Sequence, residues 1–386
     1  MTDVILTINA GSSSLKFALH PVASPLKPVL RGKITGLKRA PVFKLSVPSQ
    51  SDLPLPTVPV SATHELATDL LLDWLDAHAQ AHNITAAGHR VVHGGRDFTA
   101  PVVISEQVLE LLEALTPLAP LHQPHNLSAI RQIAARRPEL PQIACFDTSF
   151  HTTQDPLAKL FALPKSLGDQ GLIRYGFHGL SYDYITGALP DILPDASRII
   201  VAHLGNGASL CAMRDGQSVA TTMGFTALDG LVMGRRCGAL DPGVILHLVQ
   251  QRGMSVPEIE KLLYQKSGLL GVSGISNSMQ DLEASDEPDA ALAIDLFCYR
   301  AAAEIAQLIP ALGGLDALVF TAGIGENSAM TRAKICARLE WLGVTLDQVA
   351  NADNAERIST DESALPVVII PTNEDAVIAK SALALM

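Results

Sequence analysis

Residues 4–19 read VILTINAGSSSLKFAL, an apolar run that breaks into small polar residues and then becomes apolar again. This pattern predicts two β-strands joined by a tight turn. Glycine and serine let backbone N–H groups come close to a bound anion, and Lys16 adds a positive charge. The stretch is therefore a candidate phosphate-binding hairpin, and its alternative is an ordinary serine-rich turn.

A second stretch of the same kind lies near the middle of the chain, where residues 199–213 read IIVAHLGNGASLCAM. Its Ser209–Leu210 pair matches Ser14–Leu15 of the first stretch at an offset of 195 residues, half of the chain. Two such hairpins at this spacing predict an internal duplication, unless they occur together by coincidence. In a duplicated fold, two similar domains would each present a phosphate loop to the cleft between them.

A third glycine-rich element follows the predicted strand Ala317–Phe320 and reads TAGIGEN at residues 321–327. Glycines between a strand and a helix let a ligand reach backbone donors and the positive end of the helix dipole. The helix itself is predicted at Ser328–Glu340. A lone Gly-x-Gly is weak evidence, and it gains weight here from the two hairpins.

Apolar periodicity predicts two further helices. One is Asp289–Leu312, rich in alanine and ended by two glycines. The other is Thr63–His82, and a strand is predicted after it at Ala86–Val92. The face of Thr63–His82 predicted to be buried carries Leu66, Leu70, Trp74 and Ala77.

The composition is that of an aliphatic α/β protein of two or three domains. Of the 386 residues, 48% are hydrophobic but only 4% are aromatic. No apolar run approaches the roughly 18–20 residues of a membrane span. The N-terminus enters a strand without a basic leader, so we expect a cytoplasmic protein.

The formal net charge is −11, which argues against bulk nucleic-acid binding. A phosphate ligand would therefore need local positive pockets built from arginines and glycine-rich turns. The five cysteines are widely spaced and form no CxxC, which predicts buried thiols in a reducing compartment. Cys237 follows two arginines that could lower its pKa, so a catalytic thiol is an alternative there.

Histidines cluster in several short segments, which raises the alternative of a zinc site. On a helix, His89 and His93 would share one face, as zinc hydrolases require. Valines and glycines around them favour a strand instead. In a strand, four residues separate the two rings by roughly 13 Å, too far for one metal ion.

Two arginines lie where a charge needs a partner. Arg90 is inside an otherwise apolar predicted strand, and Arg236 lies in the glycine-containing segment MGRRCG at residues 233–238. A buried guanidinium must be paired, and its fork matches carboxylate or phosphate oxygens two at a time. We predict anion binding at both, with an internal salt bridge as the alternative.

Two acidic residues follow predicted strands. Asp147 closes the strand 143–146, and Glu374 follows the apolar run 367–370. A carboxylate at a strand end beside a phosphate loop suits Mg²⁺, which is usually held partly through water. The alternative for Asp147 is that it caps the backbone of Ser149 and Phe150.

Together these segments resemble the acetate kinase family, in the same order and over essentially the whole chain. Any one segment is moderately specific, and six in sequence are highly specific. The segments that carry the resemblance are residues 9–16 (NAGSSSLK), 89–95 (HRVVHGG), 146–148 (FDT), 175–179 (YGFHG), 203–207 (HLGNG) and 320–327 (FTAGIGEN).

The resemblance implies an α/β fold with two duplicated ribonuclease H-like domains, mixed sheets flanked by helices, and a cleft between the domains. An N-terminal domain would comprise residues 1–147 with a C-terminal helix at 374–386. Residues 148–373 would form the nucleotide-binding and dimerisation domain. This organisation is that of the superfamily of acetate and sugar kinases, heat-shock chaperones and actin.

The resemblance also implies a role for each matching residue. Catalytic Arg90 and Arg236 would flank the substrate carboxylate and the transferring phosphoryl group, with His178 donating to that group. Asp147 would act with Mg²⁺ (Mn²⁺ being possible), and Asn9 and Glu374 would complete the metal site. The substrate methyl pocket would comprise Val92, Leu121 and Phe177. The ATP-binding residues would be Ser12, Ser14, Lys16, His122, His203, Leu204, Gly205, Asn206, Gly207, Ser278, Met279, Gln280, Gly323, Ile324, Gly325 and Asn327.

The sequence departs from the family pattern at three places. Ser278 and Gln280 stand where the family usually has an acid and an arginine, so contacts to ribose and base, and purine choice, are open. Ala227 replaces a usual proline near the acyl pocket and could admit propionate more readily. One methylene is worth only about 1–3 kcal/mol in such a pocket. Arg235 replaces a usual threonine and adds a charge.

The implied activity is reversible phosphorylation of acetate by Mg-ATP, giving acetyl phosphate and ADP by direct in-line transfer. A short carboxylate has a pKa near that of Glu, about 4.3, so the nucleophile is already an anion and needs no general base. Catalysis must then come from positioning and positive charge. A homodimer is what the family implies; neither nucleic acid nor membrane is an expected partner.

Rival functions remain open from the sequence. Within the same class they are a propionate or butyrate kinase, or a sugar kinase, which should show an aspartate base against a hydroxyl. From a different class, an ATP-driven switch like actin or a chaperone would hydrolyse nucleotide without an acceptor. In that protein the pair Arg90 and Arg236 would be idle.

Overall fold

The computed structural model describes residues 1–11, 13–25, 27–37, 39–46 and 53–386. The chain divides into two compact units. Unit 1 comprises Met1–Phe150 and Asn373–Met386, and unit 2 comprises His151–Thr372. The sequence predicts domain boundaries at residues 147/148 and 373/374. The functions assigned to these two domains stay predictions.

Unit 1 is built on a mixed sheet of seven strands, in the spatial order β4-β3-β2-β1-β5-β7-β6. The first four strands in this order pair antiparallel, and β1, β5 and β7 pair parallel. The strands are β1 Thr2–Gly11, β2 Ser14–Pro21, β3 Leu30–Thr35, β4 Val42–Leu45, β5 His82–Val91, β6 Val102–Val103 and β7 Gln142–Phe146.

The predicted N-terminal hairpin is confirmed. Strands β1 and β2 pair from Val4 opposite Pro21 to Gly11 opposite Ser14. In this register Asn9 lies opposite Lys16, so the two side chains share a face of the sheet. Ser12, in the turn, lies outside the described residues.

Helices cover both faces of the unit 1 sheet, which explains why β1 is apolar without alternation. Successive residues of a strand point to opposite faces. On β5, Ala87 belongs to a core cluster with Ile133, whereas a Cβ on the next residue, Gly88, would lie 2.5 Å from Ile378. The unit 1 helices are α1 His64–His78, α2 Glu106–Ala114, α3 Gln123–Arg136 and, from the C-terminus, α14 Glu374–Ala384, with a 3₁₀ turn at Thr116–Leu118.

The buried face predicted for helix α1 is confirmed at Trp74 and wrong at Leu66 and Ala77, which are exposed. Leu70 is half-buried, and the buried stripe also carries Ala67 and Leu71. Three consecutive leucines at 70–72, followed by Trp74 and Leu75, made two faces look equally apolar. The sheet decided between them, since Ala67 and Leu71 pack into the same core cluster as β1 and β2.

Unit 2 repeats the strand order of unit 1, β10-β9-β8-β11-β12. Its first three strands pair antiparallel, and β8, β11 and β12 pair parallel, as β3-β2-β1-β5-β7 do in unit 1. The same order and the same directions support the predicted duplication. The strands are β8 Arg198–Leu204, β9 Ala208–Arg214, β10 Gln217–Thr221, β11 Ala317–Thr321 and β12 Val367–Ile369.

The long helix α10 lies against β8, β9 and β10 and ends at Gly313, whose φ of +69° suits glycine. Its predicted limits are confirmed within one residue. The helices of unit 2 are α4 Lys165–Asp169, α5 Gly179–Ile192, α6 Pro242–Gln250, α7 Val256–Gln265, α8 Gly268–Ser273, α9 Met279–Glu283, α10 Pro288–Leu312, α11 Ala322–Asn327, α12 Ala329–Ala337 and α13 Gln348–Ala352, with 3₁₀ turns at Ser149–Thr153 and Glu340–Leu342.

The segment 321–327, predicted as a glycine loop before a helix, is itself the short helix α11. Its first turn is closed by Glu326, whose Oε1 accepts the backbone N–H of Ala322 at 2.8 Å. The same oxygen accepts the N–H of Thr372 at 3.1 Å. None of the helices in the described ranges has the length and hydrophobicity needed to cross a bilayer.

Candidate active site

In unit 1, Arg90 near the end of β5 is paired with Asp147, which follows the neighbouring strand β7. The guanidinium Nε donates to Asp147 Oδ1 at 3.0 Å and Nη2 donates to Oδ2 at 2.5 Å. Because β5 and β7 are parallel, both residues reach the same edge of the sheet. The main-chain N–H of Asp147 donates to the carbonyl of Val91 at 3.1 Å, which holds the strand end in place.

Two further oxygen-bearing side chains complete this cluster. Arg90 Nη1 donates to Asn9 Oδ1 at 3.2 Å, and Arg90 Nε lies 4.0 Å from Glu374 Oε2. Burial opposes the charge of Arg90, but Asp147 and Glu374 together raise its pKa. Burial raises the pKa of the Asp147 carboxyl, and Arg90 offsets part of that rise.

Arg90, Asn9, Asp147 and Glu374 therefore interact as one cluster, in which no side chain acts as an independent acid or base. Asp147 is 1% exposed and both of its oxygens accept from Arg90, so it has no geometry for taking a proton from a substrate. The alternative of an internal salt bridge at Arg90, raised from the sequence, does describe this pair. The guanidinium remains 17% exposed, which leaves it accessible to an anion as well.

His89 on β5 and His93 just after that strand take part in structural hydrogen bonds. His89 lies in the strand, as predicted, and its Nε2 is 2.8 Å from Gln142 Oε1. His93 Nδ1 accepts the backbone N–H of Gly95 at 2.9 Å. Burial lowers the pKa of both imidazoles to about 4. No group of three or more His, Cys, Asp or Glu side chains suited to a metal is found among the described residues.

Other predicted residues of unit 1 lie around the end of β5. Val92 is buried, and its N–H donates to Asn126 Oδ1 at 3.1 Å, which links it to helix α3. Leu121 and His122 are half-buried just before that helix. Lys16 is exposed on β2, on the sheet face that it shares with Asn9.

In unit 2, His178 occupies the N-terminus of α5 with a left-handed backbone (φ 60°), which is strained for a residue with a Cβ. Its Nδ1 lies 2.8 Å from Ser209 Oγ on β9. Ser209 Oγ also lies 2.5 Å from the hydroxyl of Tyr182, one turn along α5. Burial raises the pKa of Tyr182 well above its ordinary value, so the phenol keeps its proton.

A second imidazole stacks on the first. The rings of His178 and His203 are 4.2 Å apart at their centroids with an interplanar angle of 14°. His203 Nδ1 lies 2.8 Å from Ser181 Oγ. Each stacked imidazole thus has its Nδ1 against a serine hydroxyl, one from β9 and one from α5.

The turn between β8 and β9 brings Arg236 and His178 together. A Cβ built on Gly207 would lie 2.8 Å from Arg236 Nη2 and 3.2 Å from His178 Nε2, so both nitrogens approach the glycine backbone closely. Arg236 Nη1 donates to the carbonyl of Ala227 at 2.5 Å. Glycine suits this turn, because a side chain there would have to move the Arg236 guanidinium and the His178 imidazole.

A cavity of about 700 Å³ in unit 2 begins at the same turn. Its wall joins segments that are far apart in sequence, namely the β8–β9 turn, α9 and α11. The structure brings together eight of the predicted nucleotide residues there: Gly205, Asn206, Ser278, Met279, Gln280, Gly323, Ile324 and Asn327.

The remaining predicted nucleotide residues of unit 2 do not line this cavity. Leu204 is buried in β8, and Gly325 faces the carbonyl of Ala202. Sequence reasoning missed three lining residues, Asn277, Glu283 and Ser328. Asn277 and Ser328 are each next to a predicted residue, Ser278 and Asn327, and that position was their only signal. Glu283 gave none, because it meets Ser328 through a tertiary hydrogen bond.

Ser278 and Gln280, the departures from the family pattern, occupy different settings. Ser278 caps α9, its Oγ accepting the N–H of Asp281 at 3.3 Å, and Gln280 is exposed in the first turn. The catalytic-thiol alternative at Cys237 loses its basis, because burial raises the pKa of that thiol.

Proteins of a known family are similar to this chain over almost its whole length. A sequence model described as the Acetokinase family matches residues 4–380. An acetate kinase of Rhodopseudomonas palustris is 52% identical over 390 residues, with 98% of each chain covered. The chain belongs to the acetate kinase family.

Solved structures of this family share the fold. A propionate kinase from Francisella tularensis superposes with a TM-score of 0.92 at 37% identity, covering 100% of both chains. An acetate kinase from Porphyromonas gingivalis superposes with a TM-score of 0.87 at 33% identity, covering 99% of both. The predicted α/β fold class, with two mixed sheets flanked by helices, is confirmed.

Proposed function

We propose that this acetate kinase family member transfers the γ-phosphoryl group of ATP to acetate, reversibly, giving acetyl phosphate and ADP. The observation that carries the proposal is the β8–β9 turn, where Arg236 Nη2 and His178 Nε2 converge on Gly207 beside the 700 Å³ cavity. A guanidinium and an imidazole nitrogen beside a turn that lines a cavity suit the negatively charged oxygens of a transferring phosphoryl group.

The nucleotide is proposed to bind in that cavity. Met279 and Ile324 offer apolar surface to a base, and the amides of Asn206, Asn277 and Gln280 offer hydrogen bonds. The residues His122, Ser12, Ser14 and Lys16 are kept as proposed phosphate contacts from the family resemblance. So are His203, Leu204, Gly207 and Gly325, which lie outside the cavity lining.

The acceptor carboxylate is proposed to bind Arg90 and Arg236, with its methyl group against Val92, Leu121 and Phe177. Acetate is an anion at neutral pH, so the reaction needs no base and the main barrier is repulsion between two anions. The geometry at Asp147 fits this chemistry, because its carboxylate is committed to orienting Arg90. Preference for acetate over propionate is a proposal, since the relatives include enzymes named for each.

Magnesium is the proposed metal, with manganese as a substitute. The oxygens of Asn9, Asp147 and Glu374 are the hard donors that Mg²⁺ prefers, and a site with so few protein ligands suits an ion that keeps its own water. A bound Mg²⁺ would neutralise phosphate charge. Asn9, Asp147 and Glu374 also hold Arg90 in place, so they would contact the metal through its water molecules.

Replacing Asp147 by Asn tests the metal assignment. We expect the Mg²⁺ concentration for half-maximal activity to rise at least about tenfold, because a carboxylate charge is lost near the site. Asp155→Asn, in an exposed loop of unit 2, is the matched control. An unchanged Mg²⁺ requirement would leave Asp147 as a partner of Arg90 only.

The function is tested by mixing the protein with Mg-ATP and acetate and trapping acyl phosphate with hydroxylamine. We expect hydroxamate that depends on both substrates. ATP hydrolysis that acetate does not change would instead indicate a nucleotide-driven switch, and phosphorylation of a sugar would indicate a sugar kinase. Propionate, butyrate and GTP in the same assay measure the two specificities that the sequence leaves open.

A homodimer is proposed with helix α6 in its interface. None of the residues of this nine-residue helix is buried, yet it carries four aliphatic side chains, Val244, Ile245, Leu246 and Val249, that are between 37% and 57% exposed. A second copy of the chain would cover this face. Leu246→Glu should give a monomer in analytical ultracentrifugation, and Leu292→Glu, at 56% exposure on α10, should not.

The predicted cytoplasmic location stays a prediction.

A further inference from the structure

Arg235 begins a chain of three side chains that ends in the nucleotide cavity of unit 2. Its Nε and Nη2 both donate to Asn277 Oδ1, at 3.3 and 3.1 Å. Asn277 Nδ2 donates in turn to Asn206 Oδ1 at 3.1 Å. Both asparagines line the cavity, whereas Arg235 lies behind them.

The direction of this chain follows from the chemistry of its first member. A carboxamide can be turned by 180°, exchanging its oxygen and nitrogen, and only its hydrogen-bond partners decide between the two orientations. A guanidinium has five N–H donors and no acceptor, so the atom of Asn277 that faces Arg235 must be the oxygen. The nitrogen of Asn277 then faces Asn206, and Asn206 must present its own oxygen. The amide nitrogen of Asn206, rather than its oxygen, is left for a ligand.

The backbone next to Arg235 holds Asn206 from the other side. The N–H of Gly234 donates to the carbonyl of Asn206 at 3.1 Å. A Cβ at Gly234 would lie 2.0 Å from Asn206 Oδ1, so only glycine permits this approach. Residues 234–235 thus set both the position and the orientation of the Asn206 amide.

We propose that Arg235 is a positioning residue that acts through Asn277 and holds the Asn206 amide with its N–H groups toward the phosphate chain of a bound nucleoside triphosphate. The inference rests on the proposed function in that it places the nucleotide in this cavity. With the amide reversed, an oxygen lone pair would face the phosphate oxygens and repel them.

The test is a double-mutant cycle read by calorimetric binding of the non-hydrolysable ATP analogue AMP-PNP with Mg²⁺. Arg235→Met and Asn277→Ala should each weaken binding about tenfold, the size expected for a hydrogen bond to a charged group. The double variant should bind no more weakly than the weaker single variant, because the two residues act in series. Arg235→Lys keeps a donor-only side chain and should bind within about threefold of wild type.

Arg338→Met is the matched control, since Arg338 is an exposed arginine that stacks on Tyr299. Additive losses in the cycle would mean that Arg235 acts on the nucleotide directly, and that result overturns the proposal. So would AMP-PNP binding to Arg235→Met that equals wild type. If Arg235→Met does not fold, Arg235→Lys and Asn277→Ala are compared instead. Weak AMP-PNP binding by Arg235→Lys then overturns the proposal.

The binding measurement needs neither acetate nor turnover, so it separates this inference from the proposed function. Non-additive losses in a protein that forms no acetyl phosphate would overturn the function alone. Additive losses in a protein that does form acetyl phosphate would overturn the inference alone. Failure of wild type to bind AMP-PNP would overturn both.

Discussion

Arg90 of unit 1 lies near the end of strand β5, whereas Arg236 of unit 2 lies in the loop between β10 and α6, and the surroundings of the two guanidinium groups differ. Arg90 is held by charge, between Asp147 and Glu374. Arg236 is anchored by a neutral carbonyl and approaches the backbone of Gly207. The duplicated scaffold therefore fixes one guanidinium with carboxylates and the other with close backbone packing.

This difference has a chemical consequence. The carboxylates around Arg90 reduce the positive field that it offers to a ligand, so that arginine is suited to orienting an acceptor. Arg236 shares its turn with an imidazole nitrogen of His178, and this pairing is suited to the charge that develops during phosphoryl transfer. We expect substitutions in unit 2 to act on the rate and those in unit 1 to act on both binding and stability.

The largest effect is expected for Arg236→Ala, which tests the assignment of unit 2 to the transferring group. The turnover number should fall about 10³–10⁵-fold, as for other arginines that stabilise a transferring phosphoryl group. Arg338→Ala is the control. The turnover number is measured from initial rates of hydroxamate formation at saturating substrate concentrations. A loss of less than about tenfold would show that Arg236 does not stabilise the transferring group.

The next effect is on stability and compares His89 of unit 1 with His151 of unit 2. Burial lowers the pKa of each to about 4, from an ordinary value of 6.5. His151 spans β10 and the His178 segment, since its Nδ1 lies 2.9 Å from Ser218 Oγ and its Nε2 lies 2.9 Å from the carbonyl of Phe177. Both imidazoles are neutral in the folded protein at pH 7.

Unfolding lets these imidazoles take up protons below pH 6.5, so the unfolded state binds more protons between pH 6.5 and 4. The contribution of each neutral histidine to the free energy of unfolding is complete above pH 6.5. It is lost as the pH falls to about 4, which lowers that free energy by about 3 kcal/mol for each histidine. Urea unfolding across this range should show a smaller acid loss for His89→Gln and His151→Gln than for wild type. His78→Gln is the control; equal slopes in all four proteins would contradict the buried-neutral assignment.

Local patterns in the sequence were enough for the hairpins and the long helix. Residues 4–19 and 199–213 each alternate apolar runs with small turn residues, a signal that needs no distant partner. The position of Arg90 within an apolar strand also indicated that its guanidinium has an anionic partner. The prediction was wrong for part of the buried face of α1 and for the loop at 321–327, because tertiary contacts decide both: the sheet core for α1 and Glu326 for α11.

The site could be predicted only as a set of segments. Arg90 and Asp147 are 57 residues apart and meet because β5 and β7 are neighbours, which the sequence pattern does not state. The contact between Asn206 and Asn277 spans 71 residues and joins a hairpin turn to the start of α9. Such polar contacts leave no periodicity in the sequence, so Asn277, and the orientation it imposes, required the structure.

The smallest effect is expected for Tyr182→Phe, which sharpens the description of His178. Ser209 Oγ lies within hydrogen-bond distance of both the Tyr182 phenol and His178 Nδ1. We expect the phenol to donate to Ser209 and Ser209 to donate to Nδ1, which would place the imidazole hydrogen on Nε2, the nitrogen near Gly207. Removing the phenol oxygen lets Ser209 reverse its hydroxyl, so the turnover number should fall about three- to tenfold with little change in KM for ATP. Tyr184→Phe, two residues along the same helix, is the matched control. The control should keep the wild-type turnover number, and a changed KM for ATP with an unchanged turnover number in Tyr182→Phe would contradict this hydrogen-bond arrangement.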